Sequence, residues 1–212
     1  MAYENETKDL KAAMVGCKVP DIKAAVDKAH AAGMPATDII EAMSAGMTEV
    51  GTLFERGRLF LPHVLSAAAG MKAAMDVLGP ELAKNTQTSD KKATVVMGTV
   101  EGDVHDIGKS ICSTMLQCAG FEIHDLGRDV PKAKFIDEVK GGCTFCGMSA
   151  LMTTTMVVMK DVIDILKQEG VRDKVTVMVG GAPVTQAYCE KIGADLYGES
   201  ASETTSKAKA LM

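Results

Sequence analysis

Hydrophobic positions follow two different periods along this chain. In the first part they recur as on a helix. Val64, Ala68, Met71, Met75, Leu78 and Leu82 advance by three or four residues and mark one helical face. Gly79-Pro80 falls inside that pattern and is expected to kink or end it. Ile39, Met43, Met47, Val50 and Phe54 mark a second face, with Thr37 or Asp38 as the expected cap. Ile22, Val26 and Ala29 mark a third helix, begun near Pro20, and residues around Lys8 to Val15 a fourth. Four helices with short joints predict a small antiparallel bundle.

From Lys84 to Lys92 the chain is polar without a hydrophobe, which marks a domain boundary. The expected division is a helical domain over 1–84, a linker over 85–92 and a second domain over 93–212. Beyond the linker, apolar runs of strand length alternate with helical stretches. Strands are predicted at Ala93 to Met97, Phe121 to Leu126, Cys143 to Met148, Val175 to Val179 and Asp195 to Tyr197. Helices are predicted at Asp106 to Cys118, Pro131 to Val139, Met152 to Gln168, Pro183 to Ile192 and Ala201 to Leu211. This alternation predicts a five-stranded parallel sheet covered on both faces, a Rossmann-like or flavodoxin-like α/β domain.

Composition narrows the partners. The 212 residues are 47% hydrophobic and 24% charged, an ordinary globular mix with no run long enough to span a bilayer. The net charge of −5 gives no general attraction to nucleic acid or anionic lipid. Six cysteines and a polar, acidic start without a secretion signal suggest reduced thiols in a cytoplasm. Fifteen methionines against 4% aromatics suit an adaptable apolar interior or a wide cofactor face.

Ligands of open α/β sheets bind at the carboxyl ends of the strands, which directs attention to three loops. The first contains Gly102-Asp103-Val104-His105-Asp106-Ile107-Gly108. A neutral imidazole is a common metal ligand, and Asp103 is spaced to hold its other nitrogen; equally, Asp103 or Asp106 could simply cap the helix that follows. Gly108 leaves the backbone open to close approach by a bulky group. The second loop, Ser149-Ala150-Leu151-Met152-Thr153-Thr154-Thr155, offers hydroxyls at a helix start, a pattern that plain capping also explains. The third, Gly180-Gly181-Ala182-Pro183, admits a thick group against the backbone or makes an ordinary turn.

The three loops together are more specific than each alone. Asp103-x-His105-x-x-Gly108, then Ser149-x-Leu151 after 40 intervening residues and Gly180-Gly181 after another 28, resemble the cobalamin-binding fingerprint. The family is that of corrinoid proteins related to the cobalamin-binding module of methionine synthase. The segment Gly51 to Leu65, with Phe54, Gly57 and Phe60-Leu61-Pro62-His63, resembles the end of that family's helical cap, so the likeness covers nearly the whole chain. Ser149 to Thr154 and Gly180 to Val184 resemble especially the free-standing corrinoid proteins of methylamine and betaine methyltransfer.

The resemblance implies roles. His105 would be the lower axial ligand of cobalt, displacing the cofactor's own benzimidazole. Asp103 would hydrogen-bond His105, and Thr155 would extend that relay. Gly102, Asp106, Ile107, Gly108 and Thr153 would contact the corrinoid; Ser149, Leu151, Gly180 and Gly181 would line the slot for its nucleotide tail. Phe54, Phe60, Leu61 and His63 would belong to the cap over the upper face, where the methyl sits. The protein would carry a methyl group, its cobalt passing between cobalt(I) and methyl-cobalt(III). The implied partners are a substrate-specific methyltransferase, a second methyltransferase acting on a thiol or folate-type acceptor, and a reductive activase. An amine donor is favoured, with methanol and aryl methyl ethers as alternatives.

Two other classes share the lower fingerprint. The cobalamin subunit of an adenosylcobalamin mutase is disfavoured because the cap-like Gly51 to Leu65 would crowd an adenosyl group. A cobalamin-dependent sensor is disfavoured because the first part of the chain is used as the cap and the charge does not suit DNA. Cys143-x-x-Cys146 invites a redox or zinc reading, but on a strand residues three apart point to opposite faces. Cys112 and Cys118 are expected as small core residues, His63 as structural or exposed, and His30 and His124 have no partner evident in the sequence.

Overall fold

The fold is taken from a computed structural model of the chain, which describes residues 3–85 and 93–212. It forms two compact units, Met1–Lys91 and Lys92–Met212.

The first unit is a four-helix bundle of α1 (Glu4–Val15), α2 (Val19–Ala31), α3 (Ala36–Glu55) and α4 (Leu61–Asn85). The apolar stripes meet as expected: Leu10, Met14, Ile22, Val26, Ile39, Met43, Met47, Val50, Val64, Met71 and Leu78 are all buried. Small residues set the helix spacing. A Cβ on Gly46 would lie 2.7 Å from Cβ of Met14, and one on Gly70 would lie 2.4 Å from Cδ1 of Ile22, so α1 seats against α3 and α2 against α4 at glycines.

Three local expectations are corrected here. Pro35 occupies the cap position of α3, and neither Thr37 nor Asp38 caps it; proline's fixed φ starts the helix without a side-chain acceptor. Gly79-Pro80 does not end α4, which runs on to Asn85. His30 has a partner, its Nε2 lying 2.8 Å from Glu81 on α4. Apart from Asn85, which α4 contains, the expected linker lies outside the described residues.

The second unit places β1 (Thr94–Thr99), β2 (Glu122–Asp125), β3 (Phe145–Ser149), β4 (Thr176–Gly180) and β5 (Leu196–Tyr197) in the order β2-β1-β3-β4-β5, every pairing parallel. This is the flavodoxin-like order. Helices α5 (Ile107–Cys118) and α9 (Ala201–Lys209) contribute Leu116 and Ala208 to one face, with Val95, Met97, Phe145 and Met178. Helices α6 (Lys132–Lys140), α7 (Val157–Gln168) and α8 (Gln186–Ile192) contribute Phe135, Met159 and Cys189 to the other, with Val96, Cys146, Met148 and Val177. The inner strands β1, β3 and β4 are buried on both faces, which explains their apolar runs, whereas the edge strand β2 is partly exposed and carries Glu122, His124 and Asp125.

The cysteine pair behaves differently from the sequence expectation. Cys143 precedes β3 instead of lying in its ladder, so strand alternation does not apply to it, and both Cys143 and Cys146 enter the same core. Burial pushes the Cys146 thiol up to about 12, which makes it inert packing. His124 also has a partner: its Nδ1 lies 2.7 Å from Glu138.

Candidate functional site

Strand order reverses about β1, whose neighbours β2 and β3 are reached by crossovers on opposite faces, and a crevice opens at their carboxyl ends. The loop after β1 is folded around Asp103. Its side chain is fully buried and accepts five hydrogen bonds. Oδ1 takes the backbone N–H of His105 at 3.0 Å and lies 2.8 Å from its ring Nδ1. Oδ2 takes the backbone N–H of Leu151 at 2.8 Å, that of Met152 at 3.3 Å and the hydroxyl of Thr155 at 2.8 Å. Burial alone would raise the Asp103 pKa, but the bonds from His105, Leu151 and Thr155 outweigh it and hold the carboxyl well below the usual range. Asp103 is therefore an acceptor-only anion, and a neutral His105 beside it carries its proton on Nδ1. The lone pair of Nε2 is left free, on a ring whose side chain is 47% exposed.

α7 starts at Val157 and not at Met152: residues 151–156 form turns, in which the N–H groups of Leu151 and Met152 and the Thr155 hydroxyl are bonded to Asp103. The expected capping by aspartates is absent as well: Asp106 holds the cap position of α5 without a side-chain bond, and Asp103 is turned inward.

Around His105 the surface is apolar and open. Val104, Ile107, Leu151, Met152 and Val157 are exposed, and a Cβ at Gly108 would meet nothing within 4 Å. Thr153 is exposed, while Thr155 is buried, so of the threonine run it is Thr155 that reaches the carboxylate. Ser149 ends β3 with its hydroxyl 3.1 Å from that of Thr99. Gly181 has φ +120°, and a Cβ there would lie 1.9 Å from the carbonyl oxygen of Ala150, so the fold itself requires a glycine. Gly180 has open surroundings, its nearest neighbour being the Gly198 carbonyl oxygen at 3.6 Å from a built Cβ.

Several residues that position the loop were not singled out from the sequence. Thr99, fully buried at the end of β1, donates to the His105 carbonyl at 3.2 Å. Asp129, in the loop after β2, accepts the Gly102 N–H at 2.8 Å, and its own N–H reaches the Asp103 carbonyl at 2.9 Å. Lys109, buried at the start of α5, pairs with Asp125, which also accepts the Gly127 N–H at 2.8 Å. A polar residue closing an apolar strand run was the available clue to Thr99. Asp129 and Asp125 carried none.

In the helical unit, Phe54 ends α3 half-buried, Phe60 is exposed before α4, and Leu61 and His63 lie in the first turn of α4. The His63 Nδ1 accepts the Phe60 N–H at 3.1 Å, closing the helix start; a structural role for His63 follows directly.

An imidazole nitrogen suits cobalt, and an exposed apolar rim with an open glycine suits a broad macrocycle, so the residues present fit a corrinoid. No described helix is long and apolar enough to cross a membrane.

Comparison with known proteins agrees. Residues 93–205 match the B12-binding domain family, and residues 7–78 match a second B12-binding domain family. "Dimethylamine corrinoid protein 2" of Methanosarcina acetivorans is 55% identical over 100% of this chain and 99% of its own length. A cobalamin-binding protein from Desulfitobacterium hafniense superposes with a TM-score of 0.84 at 35% identity, covering 97% of this chain and 98% of that one. The methanol:cobalamin methyltransferase complex of Methanosarcina barkeri gives 0.77 at 32% identity, covering 98% and 80%. The pairing of buried Asp103 with His105, the flavodoxin-like strand order and these likenesses converge, and the chain belongs to the B12-binding family of corrinoid proteins, among relatives named as dimethylamine and trimethylamine corrinoid proteins.

Proposed function

We propose that this protein carries a methyl group on a bound corrinoid, receiving it from a methyltransferase specific for dimethylamine and passing it to a second methyltransferase. The corrinoid supplies a cobalt centre that can accept the methyl as a nucleophile and release it as an electrophile. The chain's own residues supply the lower side of that centre. His105 offers Nε2 to the metal, Asp103 holds Nδ1–H, and Thr155 steadies the far oxygen of Asp103. By holding the Nδ1–H, the Asp103 carboxylate would tune how strongly the His105 imidazole binds a metal at Nε2. The exposed side chains of Val104, Ile107, Leu151, Met152 and Val157 would offer apolar surface to the cofactor and keep water from it. Gly180 leaves room for the tail.

The observation that carries the reading is the buried Asp103 carboxylate, which leaves a single open nitrogen on His105. The amine donor is supported by the name and 55% identity of the dimethylamine relative, and the methyltransferase partner by the likeness to a chain of the methanol:cobalamin methyltransferase complex. A reductive activase would restore the centre after oxidation.

The test is anaerobic reconstitution with hydroxocobalamin, wild type beside His105→Ala, followed by incubation with a dimethylamine methyltransferase and dimethylamine. A base-off, histidine-on spectrum in the wild type only, and methylation from dimethylamine in preference to methanol, are expected. Absence of corrinoid binding would overturn the carrier, an unchanged spectrum in His105→Ala would overturn the ligand, and methylation from another donor would overturn the substrate.

A further inference from the structure

Away from the loop of His105, three side chains of different chemistry converge on the sheet face covered by α6. His124 stands on β2, the edge strand, beside Val96 of β1. Glu138 stands in the last turn of α6. Cys143 lies in the turn that leads to β3, its backbone N–H bonded to the Glu138 carbonyl at 3.1 Å. Their ligand atoms all lie within 4.8 Å of one another. The Cys143 sulfur is 3.7 Å from Nδ1 of His124 and 3.7 Å from Oε2 of Glu138, while those two are 2.7 Å apart.

We infer that His124, Glu138 and Cys143 form a binding site for a zinc-class divalent cation, separate from the corrinoid site. Tetrahedral zinc with bonds of about 2.3 Å to sulfur and about 2.0–2.1 Å to nitrogen or oxygen needs ligand edges of roughly 3.6 Å to the sulfur and roughly 3.4 Å between the other two. The two sulfur edges already match. Only the His124–Glu138 edge, 2.7 Å as a hydrogen bond, must open, and Glu138 has a flexible side chain to do so. Nitrogen, oxygen and sulfur together select zinc over magnesium or calcium, which take oxygen alone.

The surroundings suit this use. Glu122 lies 3.9 Å from Nε2 of His124, on the side away from the cluster, where a carboxylate orients a ligating imidazole. The cysteine is buried, whereas His124 is 41% and Glu138 33% exposed, so the ion has an entry path and room for a water as fourth ligand. On binding, the His124–Glu138 hydrogen bond breaks, the Nδ1 proton moves to Nε2 on the Glu122 side (or, from the imidazolium, passes to solvent), the Cys143 S–H proton passes to solvent, and the metal bonds to Nδ1, the Glu138 carboxylate and the Cys143 sulfur form. The ion would tie the edge strand β2 to α6 and to the turn before β3.

The test uses the full chain, reduced, free of corrinoid, stripped with a chelator and titrated with Zn2+ against a chromogenic competitor. One equivalent is expected to bind, weakened at least about tenfold in Cys143→Ser, His124→Ala and Glu138→Gln, each checked for folding by circular dichroism. His105→Ala should bind zinc as the wild type does, and Cys143→Ser should still load hydroxocobalamin. Co2+ in place of Zn2+ should give a thiolate charge-transfer band in the unmutated chain, a readout that holds even if a variant misfolds. No zinc uptake, no such band, or binding lost in His105→Ala and kept in Cys143→Ser would overturn the site.

Discussion

Asp103→Asn keeps the shape of the buried side chain and exchanges one acceptor oxygen for a donor NH2. All five groups around Asp103 donate to it in the native structure, so the amide nitrogen meets donors wherever it is placed. At the Oδ2 position it faces the N–H groups of Leu151 and Met152, and only the Thr155 hydroxyl can turn to accept. At the Oδ1 position it faces the His105 N–H, and ring Nδ1 can accept only by moving its proton to Nε2. Each orphaned buried donor costs about 1–3 kcal/mol, and one or two are orphaned in either arrangement, so the apo chain should lose about 1–6 kcal/mol. The second arrangement also places a proton on the nitrogen proposed to bind cobalt, which should weaken histidine coordination about 10–100-fold. Urea unfolding of the apo chain reads the first effect, and a spectral titration with hydroxocobalamin the second. Thr155→Val is the control: it removes one hydroxyl and should cost about 1–2 kcal/mol without changing the tautomer. A wild-type urea midpoint together with a full-strength histidine-on spectrum in Asp103→Asn would refute the reasoning.

Two further outcomes follow from the same loops. Gly181→Ala should destabilise the fold by several kcal/mol, because its Cβ meets the Ala150 carbonyl at 1.9 Å at positive φ, whereas Gly180→Ala, with open space, should keep the wild-type melting temperature and lose only corrinoid affinity; equal melting temperatures for the two would contradict this. The depressed pKa of Asp103 makes a linkage prediction of definite sign. Its contribution is fully present above the unfolded aspartate value of about 3.9 and is lost as pH falls toward the lower folded value, so apo-protein stability should drop between about pH 5 and about pH 2, with a flatter profile for Asp103→Asn.

What could be read from the chain alone was local. The helical stripes through Met43 and Met71 and the apolar strand runs need only a period, since burial of one face or of both dictates the pattern. His105, Asp103 and Gly108 lie within six residues, and the β-turn-like spacing that joins His105 to Asp103 is a property of that segment. The tie from Asp103 to Thr155 spans 52 residues, and the sequence offered three adjacent threonines without a physical ground for choosing among them. Only the parallel pairing of β1 with β3, with Thr99 beside Ser149, brings those loops together and turns Thr155 inward. The same holds for Asp129 on Gly102, Lys109 on Asp125 and His124 with Glu138 and Cys143: each joins elements whose adjacency depends on strand order. Hydrophobic periodicity specifies which face of each element is buried, and it carries no information about which element lies next to which. The sequence by itself therefore determined the two halves, their elements and the local frame of His105. Tertiary structure alone decided which distant carboxylates, hydroxyls and thiols reach one another, because parallel crossovers place residues dozens of positions apart within a hydrogen bond.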